Sequence, residues 1–356
     1  MKILHVMPML GVGGVSRLMS DILPLLKKKE NVDADFMINK VADRTFLPAL
    51  QNAGVNIHEL KCSSVYNPLC IFKIAKYIRK YDLIHVHLFP TLYFVAIANL
   101  FVGKPLVYTE HNTYNKRRSK WYLRRVEKWI YGRYNKIISI SESTEENLKA
   151  WLSVNASDNR FRIINNGIRL DSFMHIKKNR IYPHTLIMVS RFAPAKDQMT
   201  IIKTMPILSD DIHLILVGEG LNYEKCKRMA ENLNIMDRVH FVGRQSDVPS
   251  WLAKADIGIQ SSIWEGFGLS AVEMMAAGLP VIASDVEGLR QIMDGVGLLF
   301  PCGDTNLLAE LVNKLFEDKS YYNQVRRKCV ERSKCYDVKR MVDAYLDVYK
   351  DVLRYT

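Results

Sequence analysis

The stretch DIGIQSSIWEGFGLSAVEMMAAGLPVIASD, Asp256 to Asp285, holds a complete strand, helix and strand. DIGIQSS reads as a buried strand. Gly266 and Gly268 mark a turn, the small and apolar residues from Leu269 onward a helix, Gly278 its stop, and PVIASD the next strand. Strands that are apolar throughout and joined through a helix lie parallel in a sheet covered on both faces.

The rest of the chain repeats this alternation in two halves. KILHVMPML, DADFMIN, VNIHEL, DLIHVHL, PLVYTEH, KIISIS and FRIINN read as strands of the first half. After a polar linker at 171–184 come TLIMVSRF, HLILVG, VHFVG, DIGIQSS, PVIASD and GLLF. The pattern predicts an α/β protein of two doubly wound domains, 1–170 and 185–337, with functional residues just after the strands and facing a cleft between the domains. A length of 356 residues suits two domains, and 48% hydrophobic with 24% charged residues is ordinary globular composition.

The opening MKILHVMPML meets a glycine turn and reads as a first strand, not a secretion signal. The longest apolar stretch, Leu92 to Gly103, is too short to span a bilayer, so the chain reads as cytoplasmic. The six cysteines, at 62, 70, 226, 302, 329 and 335, lack metal-ligand spacing and read as buried reduced thiols.

Charge is unevenly distributed. Residues 1–175 carry 26 basic against 14 acidic side chains, the remainder 24 against 23, so the net +13 sits almost wholly in the first half. Its densest part, NKRRSKWYLRRVEKWIYGRYNK, interleaves Lys116, Arg117, Arg118, Lys120, Arg124, Arg125 and Lys128 with Trp121, Tyr122, Trp129 and Tyr131. Such a stretch suits an anionic membrane surface. The alternative is a solvated helix whose aromatics enter the core. No nucleic-acid module is recognisable, so nucleic acid is not an expected partner.

Three motifs carry chemistry. In MLGVGGVSR, Gly13 and Gly14 follow the first strand and open a helix, where backbone amides attract an anion; Ser16 breaks the G-x-G-x-x-G dinucleotide spacing. In VSRFAPAKD, Arg191 and Lys196 follow the first strand of the second half and suit a diphosphate. Gly218, in VGEG, is another glycine turn after a strand. In EGFGLSAVE, Glu265 precedes the glycine turn and Glu273 lies within the helix, so two carboxylates can accept hydroxyl hydrogen bonds on either side of a helix N-terminus. Hydroxyl-rich ends around an anionic middle describe a nucleotide sugar, although spacing alone does not separate hydroxyl readers from a glycosidase acid/base pair.

With these residues the chain resembles a family 4 glycosyltransferase of the GT-B fold over nearly its whole length, and E-x7-E within EGFGLSAVEMMAAGLPVIASD is the most specific element. The resemblance implies two Rossmann-like domains facing a central cleft, with the acceptor on the N-terminal domain and the donor on the C-terminal one. It also implies that VKRMVDAYLDVYKDVL, within 338–356, crosses back as a helix to the first domain. By motif, Glu265 would contact the transferred sugar and Glu273 the ribose. Arg191 and Lys196 would grip the diphosphate, helped by the turn Gly266, Phe267, Gly268, Leu269 and by Gly13 and Gly14. His111 in YTEHN would face the donor sugar. NNGI at 165–168 and PCGD at 301–304 also match, while Asp197 stands where glycine is usual and Gln291 where glutamate is common.

The implied reaction is retaining transfer of a hexose or N-acetylhexosamine from a UDP- or GDP-linked sugar, without a metal or other cofactor. The acceptor would be a glycan or lipid-diphosphate-linked saccharide in bacterial surface polysaccharide assembly, which would make the protein peripheral at the inner face of the plasma membrane. A GT-B-type epimerase or a non-catalytic nucleotide-sugar sensor would use the same binding residues. A nicotinamide-dependent oxidoreductase would share the layers but not the glycine spacing.

Overall fold

A computed structural model describes residues 1–11, 13–113 and 115–354, without the Lys116 side chain. The chain forms two compact units, one comprising residues up to Gly167 together with the segment from Val338 onward, the other Ile168–Asp337.

The first unit runs β1 (Lys2–Leu10), α1 (Gly14–Lys27), β2 (Asp33–Val41), α2 (Leu47–Asn52), β3 (Ile57–Glu59), α3 (Cys70–Ile78) and β4 (Leu83–His87). It continues with α4 (Thr91–Ala98), β5 (Leu106–Glu110), α5 (Leu123–Tyr131), β6 (Lys136–Ser139), α6 (Glu142–Leu152) and β7 (Phe161–Ile163). All seven strands are parallel, in the order β3-β2-β1-β4-β5-β6-β7. The strands are apolar on both faces, and each face has its own core. Ile3 and Val107 meet α1 and the C-terminal segment on one side; Leu4 and Ile84 meet α3 to α6 on the other.

The second unit runs β8 (His184–Val189), α7 (Gln198–Thr204), β9 (Ile212–Val217), α8 (Tyr223–Asn232), β10 (Val239–Phe241), α9 (Val248–Leu252) and β11 (Ile257–Gln260). It continues with α10 (Leu269–Ala276), β12 (Val281–Ser284), α11 (Glu287–Met293), β13 (Leu298–Phe300), α12 (Thr305–Glu317) and α13 (Lys319–Ser333). Its six parallel strands take the order β10-β9-β8-β11-β12-β13.

Each of the thirteen strands among the described residues overlaps a segment whose composition predicts one; β2, β8 and β9 run one or two residues beyond theirs. The last helix, α14 (Val338–Arg354), belongs to the first unit, as expected of a returning helix. Val338, Met341, Val342, Tyr345, Leu346, Tyr349 and Val352 recur at helical spacing and are buried. At about 1.5–3 kcal/mol for each fully buried apolar side chain, this stripe is comparable in size to the net stability of about 5–15 kcal/mol typical of a domain. The first unit therefore draws a large share of one of its cores from α14.

Residues 171–184, the polar linker of the sequence, pack within the second unit: Phe173 is buried, Asn179 N donates to Ala253 O at 2.9 Å, and Lys178 Nζ donates to Ala255 O at 2.5 Å. One expectation is corrected: the cysteines are not uniformly buried thiols. Cys62 and Cys70 are joined in a disulfide beside α3, and Cys302 and Cys335 are exposed; Cys226 and Cys329 are buried and free. Folding brings the first pair together across a turn, which ligand-type spacing rules do not detect.

Candidate active site

In the second sheet the strand order reverses between β8 and β11, which opens a crevice at the carboxyl ends of these neighbours. Arg191 and Lys196 follow β8, and Glu265 follows β11. The two loops are tied by backbone bonds from Asp197 N to Ser261 O at 3.1 Å and from Ile263 N to Ala195 O at 2.9 Å. Lys196 Nζ forms an ion pair with Glu265 Oε2 and lies 3.4 Å from Ser262 Oγ. The exposed Arg191 guanidinium has no hydrogen-bond partner among the described residues. The structure thus brings one cation and the first glutamate into direct contact, while the second cation, on the same loop as Lys196, is exposed.

Asp197, where the family resemblance leads one to expect glycine, has a local task. Its carboxylate caps α7, accepting from Thr200 N at 3.2 Å and from Thr200 Oγ1 at 2.5 Å. Gln198 steadies the same loop through Nε2, which donates to Ser190 Oγ at 2.9 Å and Arg191 O at 3.0 Å. Gly218 ends β9 with its amide bonded to Gly243 O at 2.8 Å.

The turn Gly266-Phe267-Gly268 delivers the chain into α10. Gly268 caps that helix at φ 96°, ψ 50°, a left-handed conformation that favours glycine, and a Cβ there would lie 2.5 Å from Leu289 Cδ2. α10 has neither a side-chain cap nor an acid in its first turn, so its first amides, beginning at Leu269, lack capping partners among the described residues. Glu265 Cγ lies 3.6 Å from the site of that Cβ, and Glu265 Oε1 accepts from Gly266 N at 3.3 Å. Phe267 is buried edge-on against Tyr336, 5.3 Å between centroids. Glu273 is buried further along α10. Gly288, which the motifs did not single out, lets α11 pack on this turn: a Cβ there would overlap Glu265 O.

The first unit presents a second set of groups at the carboxyl ends of its strands. Gly13 precedes α1, which has no side-chain cap and no acid in its first turn, while Val12 lies outside the described residues. Ser16, at the position a dinucleotide fingerprint would give to glycine, accepts from Gly11 N at 3.1 Å. His111 follows β5 and is buried. Its Nε2 lies 3.0 Å from His87 Nδ1, and its Nδ1 is buried without a partner. Burial holds the His111 and His5 imidazoles down at about 3 and pushes His85 and His87 well below the usual range, so all four are neutral near pH 7. These histidines share one sheet face: His5 pairs with His85 in register, and His87 with Thr109. Polar residues recurring at period two inside apolar strands were the signal in the sequence.

The basic segment divides between core and surface. Arg118 donates to Glu110 Oε2 at 2.9 Å, and Arg117 donates to the buried Glu127 Oε1 at 2.7 Å while stacking on Phe89. Tyr131 is buried, donating to Glu110 Oε2 at 2.8 Å. Trp121, Tyr122, Val126 and Trp129 are exposed, as are Lys120, Arg124, Arg125 and Lys128. The Lys116 side chain lies outside the described residues. No described helix is long and apolar enough to cross a membrane.

Residues 12–172 match the model of Glycosyltransferase Family 4, and residues 173–334 that of Glycosyl transferases group 1. The N-acetylgalactosamine-N,N'-diacetylbacillosaminyl-diphospho-undecaprenol 4-alpha-N-acetylgalactosaminyltransferase of Campylobacter jejuni is 24% identical, over 97% of this chain and 96% of that one. The N-acetyl-alpha-D-glucosaminyl L-malate synthase of Bacillus anthracis is 31% identical over 48% of this chain, which spans 46% of that relative. Among solved structures, Anabaena Alr3699/HepE in complex with UDP and glucose superposes with a TM-score of 0.85 at 21% identity, covering 98% of this chain and 99% of that one.

Proposed function

From the premise that the chain belongs to the glycosyltransferases, family 4 in its first half and group 1 in its second, we propose that it transfers a hexose or N-acetylhexosamine from a UDP-sugar to a lipid-diphosphate-linked saccharide. The carrying observation is the contact of Lys196 with Glu265 at the strand-order reversal, with Glu265 just before the turn that opens the uncapped start of α10. UDP is preferred to GDP because the structural relative was solved with UDP and glucose. The lipid-linked acceptor follows the undecaprenol-linked substrate in the name of the Campylobacter relative.

In this reading Lys196 exchanges Glu265 for the donor diphosphate, and Arg191 takes the other phosphate. As the sugar bond loosens toward an oxocarbenium-like state, both cations and the amides of α10 stabilise the departing diphosphate. Glu265, released from Lys196, accepts hydroxyls of the transferred sugar, and Glu273 accepts the ribose hydroxyls. The resemblance adds His111, Gly13 and Gly14 as further donor contacts. The acceptor hydroxyl enters on the face the diphosphate leaves and passes its proton to the departing phosphate oxygen, so configuration is retained; the leaving charge is met by the two cations and the α10 amides in place of a metal. The exposed basic and aromatic segment around α5 holds the enzyme against anionic lipid, where the acceptor resides.

The test is a thermal-shift screen of UDP, GDP, ADP and their sugar conjugates on wild type and Glu273→Ala. The expected result is stabilisation by UDP and one UDP-sugar that the substitution removes, followed by UDP release only when a lipid-linked acceptor is added. No stabilisation by any nucleotide sugar would overturn the donor site. Isomerised donor without acceptor would make the protein an epimerase.

A further inference from the structure

Behind His111 the first unit buries a continuous polar chain that the transfer reaction does not itself require. Tyr349 OH on α14 lies 2.6 Å from His85 Nδ1 and 3.3 Å from His5 Nε2. His5 Nδ1 lies 3.1 Å from His87 Nε2, and His87 Nδ1 lies 3.0 Å from His111 Nε2. On the other branch, His85 Nε2 lies 2.7 Å from Thr109 Oγ1. Tyr349, His5, His85 and His87 are fully buried.

We propose that Tyr349 is a positioning residue that sets the tautomer of His111 through His5 and His87, leaving His111 Nδ1 bare as a hydrogen-bond acceptor. A neutral imidazole has one N–H and one lone pair, so each ring passes on the direction of the bond it receives. Tyr349 has a single proton, and the whole chain follows from where it points. Hydroxyl donors make shorter bonds than ring N–H donors. The 2.6 Å contact is therefore Tyr349 donating to His85 Nδ1, and the 3.3 Å contact is His5 Nε2–H donating to the phenol oxygen. His85 Nε2–H then donates to Thr109.

His5 has used its only proton, so its Nδ1 accepts from His87 Nε2–H. His87 Nδ1 in turn accepts from His111 Nε2–H. His111 Nδ1 is left as a lone pair, and it is the ring nitrogen of His111 that is buried with no partner in the protein. A lone pair there takes a hydroxyl proton and cannot donate to a phosphate oxygen. That His111 meets a sugar hydroxyl rests on the glycosyltransferase reading; its tautomer does not.

His5, His85 and His87 also bring three nitrogens within 4.8 Å of one another, as a metal site would. Both His85 nitrogens face hydroxyls, however, and the His5 and His87 rings stack at 10° with their facing nitrogens 3.1 Å apart. That arrangement suits a shared proton better than convergence on one ion.

The experiment is long-range proton–nitrogen correlation NMR of 15N-histidine-labelled full-length protein, without nucleotide, with His111 assigned by difference from His111→Gln. The expected result is a protonated Nε2 and an unprotonated Nδ1 on His111. Tyr349→Phe should convert this single form to a mixture of both tautomers and lower kcat by roughly 10–100-fold, the loss seen when the hydrogen-bond partner orienting a metal-bound histidine is removed, with donor KM little changed. The opposite tautomer in wild type would overturn the proposal. So would a His111 spectrum that Tyr349→Phe leaves unchanged, or a stoichiometric metal found on the three histidines. Failure of nucleotide-sugar binding would leave these spectra, and the tautomer they identify, intact.

Discussion

Glu265 and Lys196 occupy each other in the free protein, each less than one-fifth exposed. A pair at that depth holds both side chains in place for an incoming ligand and must be exchanged when a diphosphate arrives. The two partners should then respond oppositely. Lys196→Ala should abolish stabilisation by UDP and lower kcat by about 10²–10³-fold, the usual loss when a transition-state charge stabiliser is removed. Glu265→Gln should keep the UDP-induced shift, because it frees Lys196, yet lose transfer. Calorimetric UDP binding beside acceptor-dependent UDP release checks this; equal loss of UDP binding in both variants would contradict it.

Among the elements, α5 and the residues just before it combine two roles on opposite faces. Ile130 and Tyr131 anchor the helix in the core, and Glu127 fixes Arg117, Tyr93 and Trp151 from within. Trp121, Tyr122 and Trp129 face outward among basic side chains. Lys120 and Arg125 are exposed, and neither side chain has a partner among the described residues. At about 1 kcal/mol per basic residue near an anionic surface, Lys120→Ala with Arg125→Ala should weaken vesicle binding by roughly thirtyfold at low salt. Trp121→Ser with Trp129→Ser should weaken it without changing its salt dependence. Co-sedimentation with phosphatidylglycerol vesicles distinguishes the two effects, and unaltered retention of both double variants would remove the membrane reading.

Across the protein, the buried histidines link stability to pH. His5 and His111 titrate at about 3 when folded against about 6.5 in an unfolded chain, and His85 and His87 shift in the same direction. Between these values the unfolded chain binds more protons, so stability rises with pH in that window. The contribution is complete above about pH 6.5 and is lost as pH falls toward 3. The melting temperature should be nearly flat from about pH 7 to 8 and decline between about 6.5 and 5, above most carboxylate titration. A melting temperature unchanged down to about pH 5 would contradict the buried neutral cluster.

The strands, the two-sheet architecture and the E-x7-E turn were legible because each depends on residues near in sequence. Apolar runs fix a strand's environment, and Gly268 fixes the backbone entry to α10. Asp197 was legible as a departure, but its reason was not: a cap exists only once α7 starts at Gln198. The Cys62–Cys70 disulfide, the pairing of Lys196 with Glu265 and the chain from Tyr349 to His111 lay beyond that reach. Local pattern determines which residues are buried and on which face. The partner of a buried polar group depends on strand order and helix docking. Here these set His5 beside His85 and bring Tyr349 to both from the far end of the chain.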